Sequence, residues 1–316
     1  MSRSPLPWSS ALAVLAPLVA LSLGACSSAT DGPAAEPPGA EGGPTALADG
    51  APARPSDGDG GATTTDGKAD LGAVRFTIQV DYRFDKAGFF ADPVRKKALE
   101  GACRIWGRLL SDDFPAVPKG TYIKVRNPER PNDPAVALTI DYEIDDLVIF
   151  VGSSDLAPGI TGVSSPTAGL SGISDGALAA ALQQRFEATP FQPWTAWISF
   201  DSNTDFTFDP DPELGTAVPA GKLDFVSVAL HEIGHTLGFG TAASFKSKIS
   251  GGVFTGAKTV ALLGGPLPLT ADLGHVPNTT MSGGHRMLMD LSDGLGTRYV
   301  PTPLDQAVLE DLGLHF

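Results

Sequence analysis

Two histidines and a glutamate stand at a spacing that suits metal-assisted hydrolysis. His231, Glu232 and His235 form the pattern His-Glu-x-x-His within residues 227–239. Histidines four residues apart on an α-helix lie one turn apart on the same face, so both imidazoles can bind one metal ion. The glutamate can then remove a proton from a water molecule whose pKa the metal lowers towards about 7. This donor set favours Zn²⁺, with a third protein ligand and one open coordination position.

The residues around the motif predict that it lies on a helix. Asp224 is a suitable N-cap, and Gly238 stands where a helix would end and turn away. Gly234 lowers helix stability by about 1 kcal/mol relative to alanine, which indicates a close backbone approach at that point. The alternative is a buried helix that carries two incidental histidines. The helix is apolar along its length, at Phe225, Val226, Val228, Leu230, Ile233 and Leu237.

Residues 231–239 resemble the zinc helix of the metzincin metallopeptidases, whose motif is H-E-x-x-H-x-x-G-x-x-H. The first eight motif positions match, but Thr241 stands where the third histidine would be. Leishmanolysin-like metzincins carry an insertion before that histidine, and this chain is similar to them and to matrixin-like secreted bacterial members with a displaced third histidine. The third ligand must therefore come from elsewhere, or the site is incomplete.

The resemblance also implies a fold. A metzincin is an α/β protein with a twisted mixed sheet and two helices above the cleft, and a smaller irregular lower subdomain with a C-terminal helix. Residues 239–316 would form the lower half. Metzincins carry a methionine turn beneath the zinc, and Leu288-Met289-Asp290 resembles it. The alternative is an ordinary core methionine.

Three further histidines could supply the third ligand. His275 precedes Met289 by fourteen residues, which leaves room for a loop, whereas His285 precedes it by only four. We therefore prefer His275, with His285 and a carboxylate such as Asp272 as alternatives. His315 lies next to the end of the chain and suits the geometry of a catalytic zinc least.

The N-terminal part predicts export. An apolar run over residues 11–23 is too short to span a membrane comfortably and is typical of a signal peptide. Residues 23–26 resemble a bacterial lipobox, so we expect a lipoprotein signal peptide over residues 1–25 and a lipid anchor on Cys26. An ordinary signal peptide is the alternative. The protein would then be exported and anchored to the bacterial membrane or cell surface.

Residues 26–70 contain almost no large apolar side chain and cannot offset the entropy of ordering, which predicts a disordered tether. A propeptide is the alternative. Residues 71–316 are long enough for one sizeable domain, the expected catalytic domain. With Cys26 lipidated no disulfide can form, and Cys103 is expected to be a buried small hydrophobe.

The net charge of the chain bears on whether its partner is a nucleic acid. The net charge of −14 argues against nucleic-acid binding and favours solubility. Carboxylates are concentrated in residues 201–213, where a Ca²⁺ loop is one interpretation and a solvated acidic loop the preferred one.

Periodicity places the remaining elements. Strands are predicted at 74–84, 121–125, 135–142, 147–152 and 195–200. The fourth of these is expected to be central in the sheet because it is apolar throughout. Helices are predicted at 93–110, 175–188 and 302–312. In metzincins an edge strand of the sheet pairs with the extended substrate. The resemblance places this strand between the predicted strands at 147–152 and 195–200, and residues 159–165 are our candidate.

The sequence therefore predicts a zinc-dependent endopeptidase acting on protein or peptide substrates, with His231, His235 and His275 as metal ligands. Glu232 would serve first as base and then as acid. Two alternatives remain: a zinc hydrolase of a non-peptide amide, and a non-catalytic surface-binding protein with a degenerate metal site, suggested by Thr241. Some metzincins place a tyrosine two residues after the turn methionine, where this chain has Leu291, so no second oxyanion stabiliser is evident.

Overall fold

The structure, a computed structural model, describes residues 24–27, 72–167, 176–290 and 294–316. Over these residues it has the expected α/β fold, with a mixed sheet and six α-helices. Apart from residues 24–27, the expected signal peptide and tether lie outside the described residues, so the division of the chain at 25/26 and 70/71 stays a prediction. In the described ranges, no helix combines the length and apolarity needed to cross a membrane.

The main sheet has five strands in the order β1-β6-β7-β5-β2. β5 is parallel to both of its neighbours, whereas β6 runs antiparallel to β7 and β1 pairs antiparallel with the outer side of β6. The apolar strand is central, as predicted, and its buried residues fit that position. The first seven strands are β1 Gly24–Ser27, β2 Ile78–Asp81, β3 Tyr122–Val125, β4 Val136–Thr139, β5 Leu147–Ser154, β6 Ile160–Pro166 and β7 Thr195–Asp201.

Two predicted strands are shorter than expected: residues 135–142 contribute only β4, and residues 74–84 contribute only β2. Of residues 74–84 only β2 joins the sheet, because the backbone N–H groups of Arg75 and Phe76 donate instead to the carbonyl of Gly107 at the end of a helix. After β2 the chain turns, with the Asp85 N–H donating to Tyr82. Apolar and polar side chains alternate over the whole of residues 74–84, but only the residues of β2 have a neighbouring strand to pair with.

Helices α1 (Pro93–Leu109) and α3 (Phe225–Thr236) pack against each other, and α3 lies against β6. The Trp106 indole N–H donates to the Leu230 carbonyl at 2.9 Å, which fixes their relative position. α1 confirms the predicted stripe, because Ala98, Ala102 and Trp106 are fully buried. Cys103 is buried as expected, and burial raises the pKa of its thiol to about 12. The thiol is therefore uncharged and packs as a hydrophobe.

The opposite face of the sheet is covered by a different segment. A Cβ atom built on Gly152 in β5 would lie 3.2 Å from the side chains of Pro128 and Glu129, so the part of the segment 126–134 that contains these two residues lies directly on that face. The segment connects β3 to β4, which form an antiparallel hairpin. The sheet thus separates the helices from this loop.

The second half of the chain is built from short elements. It contains α4 Ala243–Lys246, α5 Ala257–Leu263 and α6 Pro303–Asp311, and the short strands β8 Phe206–Thr207, β9 Leu223–Asp224, β10 Ile249–Ser250, β11 Val253–Phe254, β12 Leu267–Pro268, β13 Met281–Ser282 and β14 His285–Arg286. α2 (Gly176–Glu187) precedes β7, as predicted. α6 begins with a capping box between Thr302 and Asp305 and buries Leu304, Val308 and Leu309, which confirms the predicted C-terminal helix.

Candidate metal centre

α3 is a fully buried helix with a defined start. The Asp224 carboxylate accepts a hydrogen bond from the Ser227 N–H at 3.1 Å, which satisfies one of the open N–H groups of the first turn. Every residue of the helix is buried, including both histidines and Glu232. Polar side chains in such a helix must have partners, and their partners define the site.

Gly238 ends the helix and orients a histidine. At φ 112° its N–H donates to the His235 carbonyl, and the Phe239 N–H donates to the Gly234 carbonyl, both at 3.1 Å. These two bonds are the Schellman arrangement, which requires a residue in the left-handed region. The turn brings the Phe239 carbonyl within 2.8 Å of the His235 Nδ1 atom.

Three histidine side chains converge in the interior. The Nε2 atoms of His231 and His235 are 3.0 Å apart, and those of His235 and His275 are 3.1 Å apart. His231, His235 and His275 are all buried, and their donor atoms lie within 4.8 Å of one another. A tetrahedral zinc with Zn–N distances of about 2.0–2.1 Å places two histidine nitrogens about 3.3 Å apart. The two separations that involve His235 are therefore close to those of a zinc site.

Each of these histidines has an acceptor on its other ring nitrogen. The Nδ1 atom of His231 is 2.8 Å from the Leu288 carbonyl, and that of His275 is 2.7 Å from an Asp272 carboxylate oxygen. With Phe239 as the acceptor for His235, all three Nδ1 atoms are assigned as donors. In the neutral rings the Nε2 lone pairs then point at one another, an arrangement that a cation between them stabilises.

Burial keeps the two helix histidines neutral. Loss of solvation, followed by the neighbouring histidines, lowers the pKa of His235 to about 3 and the pKa of His231 well below its ordinary value. Metal ligation requires the neutral imidazole. Both side chains are therefore in the ligand form at neutral pH.

A short loop delivers His275. Asp272 accepts bonds from the Thr270 hydroxyl at 2.6 Å and the Gly274 N–H at 2.9 Å in addition to His275. Although burial alone raises the pKa of Asp272, the bonds from His275 and Thr270 bring it below its ordinary value. Leu273 has a φ of 59°, a strained conformation for a residue with a side chain. The loop is therefore built around one carboxylate.

Thr241 has a structural role in place of the expected histidine. Its hydroxyl donates to the His235 carbonyl at 2.6 Å, across the turn that follows α3. Gly240, at φ 70°, lets this turn approach the third-histidine loop, since a Cβ atom there would lie 2.6 Å from the Gly274 carbonyl oxygen. His275 thus comes to the cluster from a loop packed against the helix end.

Met289 lies beneath α3. A Cβ atom on Gly234 would be 2.5 Å from the Met289 sulfur, which confirms that this glycine permits a close approach. The buried Asp305 carboxylate accepts from the Leu288 N–H at 3.0 Å and the Met289 N–H at 3.1 Å. Because the Leu288 carbonyl accepts from His231, α6 positions a histidine of the cluster through this turn.

Glu232 is fully buried and faces β6. A Cβ atom on Gly162 would lie 2.7 Å from the Glu232 Oε1 atom, so only glycine leaves room for the carboxylate. The Ser164 hydroxyl donates to the Glu232 backbone carbonyl at 2.9 Å. Strand β6 therefore holds both the backbone and the side chain of this residue.

The alternatives for the third position lie elsewhere. His285 is exposed on β14, and the His315 Nδ1 atom lies 2.8 Å from Asp112. Asp272 orients His275 rather than joining the cluster.

The sequence did not reveal the role of Asp272 or that of Gly162. Only the Asp-x-x-His spacing of Asp272 and His275 offered a signal. The Leu288 and Phe239 carbonyls gave no signal in the sequence, because every residue has a backbone carbonyl.

The acidic loop is held by basic side chains. Asp209 pairs with Arg298 at 2.8 Å, Glu213 with Arg104 at 3.0 Å, and Asp205 with Lys222. Within the described residues, the three histidines are the one group of at least three potential ligands that could hold a metal. Both interpretations of the loop, as a Ca²⁺ loop and as a solvated acidic loop, stay predictions.

Comparison with protein-family models and with curated proteins gave no match. The chemistry of the site therefore follows from its own geometry. Three imidazole nitrogens and a neighbouring buried carboxylate can bind a divalent cation such as Zn²⁺ and move a proton beside it.

Proposed function

We propose that the chain is a zinc-dependent endopeptidase of the metzincin type. The observation that carries the proposal is the convergence of the His231, His235 and His275 Nε2 atoms, with each Nδ1 held by an acceptor. Glu232 follows the first of these histidines directly. The methionine beneath the helix and the C-terminal helix that supports it also agree with the metzincin resemblance.

Glu232 carries the proton chemistry. Zinc bound to the three histidines would supply a Lewis acid and a water molecule of lowered pKa. Glu232 accepts a proton from the attacking water and gives it to the nitrogen of the leaving amine. On the β6 side Gly162 leaves room for the carboxylate and Ser164 holds the backbone carbonyl of Glu232, so the proton would be transferred next to this strand.

The edge of β6 favours a peptide substrate over a small amide. Gly24–Ser27 pairs with its outer side, so this edge can accept an extended antiparallel segment. A peptide in the same place would pass beside Gly162, whose Cα is adjacent to the Glu232 carboxylate. The non-catalytic alternative is disfavoured, because His275 completes the cluster that Thr241 left open.

We further propose export and a lipid anchor on Cys26, from the signal-like N-terminus alone. Cleavage before Cys26 would remove Gly24 and Ala25, two of the residues that pair with β6. The edge strand would then be open to substrate.

Replacement of Glu232 by glutamine tests the mechanism. Glu232→Gln keeps the size of the side chain but removes the base, so we expect hydrolysis of a casein substrate to fall by at least about a hundredfold. Zinc content should match that of the unaltered protein. Full activity in this variant would contradict the mechanism, and activity that survives removal of zinc by a chelator would contradict the metal's role.

A further inference from the structure

Strand β6 separates two environments. Gly162 and Ser164 face α3, where they contact the Glu232 side chain and backbone. Because side chains alternate along a strand, Val163 between them faces the other side of the sheet. A peptide that adds to the outer edge of β6 follows the same alternation, so consecutive side chains would point alternately to the metal centre and to the opposite face.

A cavity of about 500 Å³ lies on that opposite face, next to the edge. Val163 and Ile160 line it on the strand side. The loop that covers Gly152 supplies Glu129, Arg130 and Asp133, and the end of β5 leads into Asp155. The cavity therefore adjoins the same strand edge as the metal centre.

Its charge is predominantly negative. Three carboxylates, from Glu129, Asp133 and Asp155, line it against one guanidinium from Arg130. Glu129 accepts from the Ala87 N–H and Asp155 from the Asn203 amide, both at 2.6 Å, and these neutral donors do not cancel the charge of either carboxylate. The net charge of −14 for the chain adds to this potential.

The direction of the strand sets the position that would enter the cavity. In the antiparallel pairing of β1, Ala25 is opposite Val163 and Gly24 is opposite Ser164. N-terminal residues of an added peptide therefore lie towards Pro166. The residue opposite Val163 precedes the residue opposite Gly162, which is beside Glu232.

We propose that this cavity is a substrate subsite for a lysine or arginine side chain on the N-terminal side of the cleaved bond. The inference rests on the proposed peptidase function and names its substrate class. An extended peptide on β6 would place a basic side chain between Glu129 and Asp155 while its backbone passes Glu232.

The test uses matched fluorogenic peptides and the full chain. Cleavage sites are first mapped by mass spectrometry, and peptides with lysine, glutamine or glutamate just before the cleaved bond are then compared. The lysine peptide should have the highest kcat/KM. In a Glu129→Gln/Asp155→Asn variant its advantage over the glutamine peptide should shrink by about threefold to tenfold, with the glutamine peptide unaffected.

The control is Glu187→Gln, which removes a charge from an exposed position on α2 and should leave the preference unchanged. Cleavage of all three peptides at equal rates, or a lysine preference that the double variant retains, would overturn the subsite and leave the peptidase function standing. Absence of cleavage of every peptide by the zinc-loaded protein would overturn both.

Discussion

At the scale of single residues, the site depends on the partners of the ring nitrogens. His275 comes from a loop forty residues after His235, and Asp272 is the carboxylate that holds it. A carboxylate on the other ring nitrogen fixes the orientation of a ligand and raises its basicity. His231 and His235 are instead held by backbone carbonyls, so Asp272 is the charged member of the set.

Asp272→Ala should therefore weaken zinc binding by about tenfold to a hundredfold. Asp272→Asn should have a smaller effect, since the amide oxygen still accepts from the His275 Nδ1–H. Competition with a fluorescent chelator measures the affinity, and Asp113→Ala, at an exposed carboxylate, is the control. Unchanged affinity in the alanine variant would show that Asp272 does not position His275.

The two histidines and the glutamate of the helix could be predicted at this scale, but the third histidine that completes the cluster could not. His231, Glu232 and His235 are fixed by helical spacing, which is a property of neighbouring residues. His275 could only be preferred over His285 by loop length, because the packing of Gly240 on Gly274 that brings the loop in is a tertiary contact.

At the scale of elements, Glu232, the proposed base, lies between a helix and a strand. Gly162 in β6 allows α3 to approach closely enough for Glu232 to be buried against the sheet. A methyl group at this position would displace the carboxylate, and a displacement of about 1 Å in a catalytic group can cost about a hundredfold in rate.

We expect Gly162→Ala to lower kcat by at least about tenfold while the protein still folds and binds zinc. Gly176→Ala is the matched control, because a Cβ atom there has open space. Circular dichroism and metal content would establish folding, and peptide hydrolysis the effect. Activity equal to that of the control would show that the carboxylate has room to move.

Long elements were predictable and short ones were not. α1, α3 and α6 combine periodic apolar residues with capping residues at Asp92, Asp224 and Thr302, and their bounds agree with expectation. The two-residue strands from β8 to β14 are too short to show alternation. The Met289 turn was identified by resemblance, and its support by Asp305 depends on how α6 packs.

At the scale of the whole molecule, Arg298 joins the acidic loop to the start of α3. It forms two hydrogen bonds with the buried Asp224 carboxylate, each at 2.9 Å, and one with Asp209 at 2.8 Å. The segment before α6 is thereby fixed to the N-terminus of α3. This network links distant parts of the chain around the site.

The network makes stability depend on pH. Burial opposes ionisation of Asp209, but the hydrogen bond from Arg298 brings its pKa below the ordinary value of 3.8. A lowered pKa in the folded state gives stability that is present above pH 3.8 and is lost as the pH falls through the folded-state pKa.

Asp209→Asn should lower the free energy of unfolding by about 2 kcal/mol at neutral pH. The difference from the unaltered protein should shrink below about pH 4, where the carboxylate of the unfolded state becomes protonated, and should vanish as the pH falls through the lower pKa of the folded state. Urea unfolding between pH 3 and pH 7 measures both curves. A difference that stays constant across this range would show that the ion pair contributes nothing to acid stability.

The most direct test of the metal centre is the zinc content of the purified protein, measured by mass spectrometry of the metal beside His275→Ala and His285→Ala. We predict about one zinc per chain in the unaltered protein and in His285→Ala, and loss of zinc in His275→Ala. No zinc after metal-replete purification, or loss only with His285→Ala, would contradict the assignment of His231, His235 and His275 as the metal site.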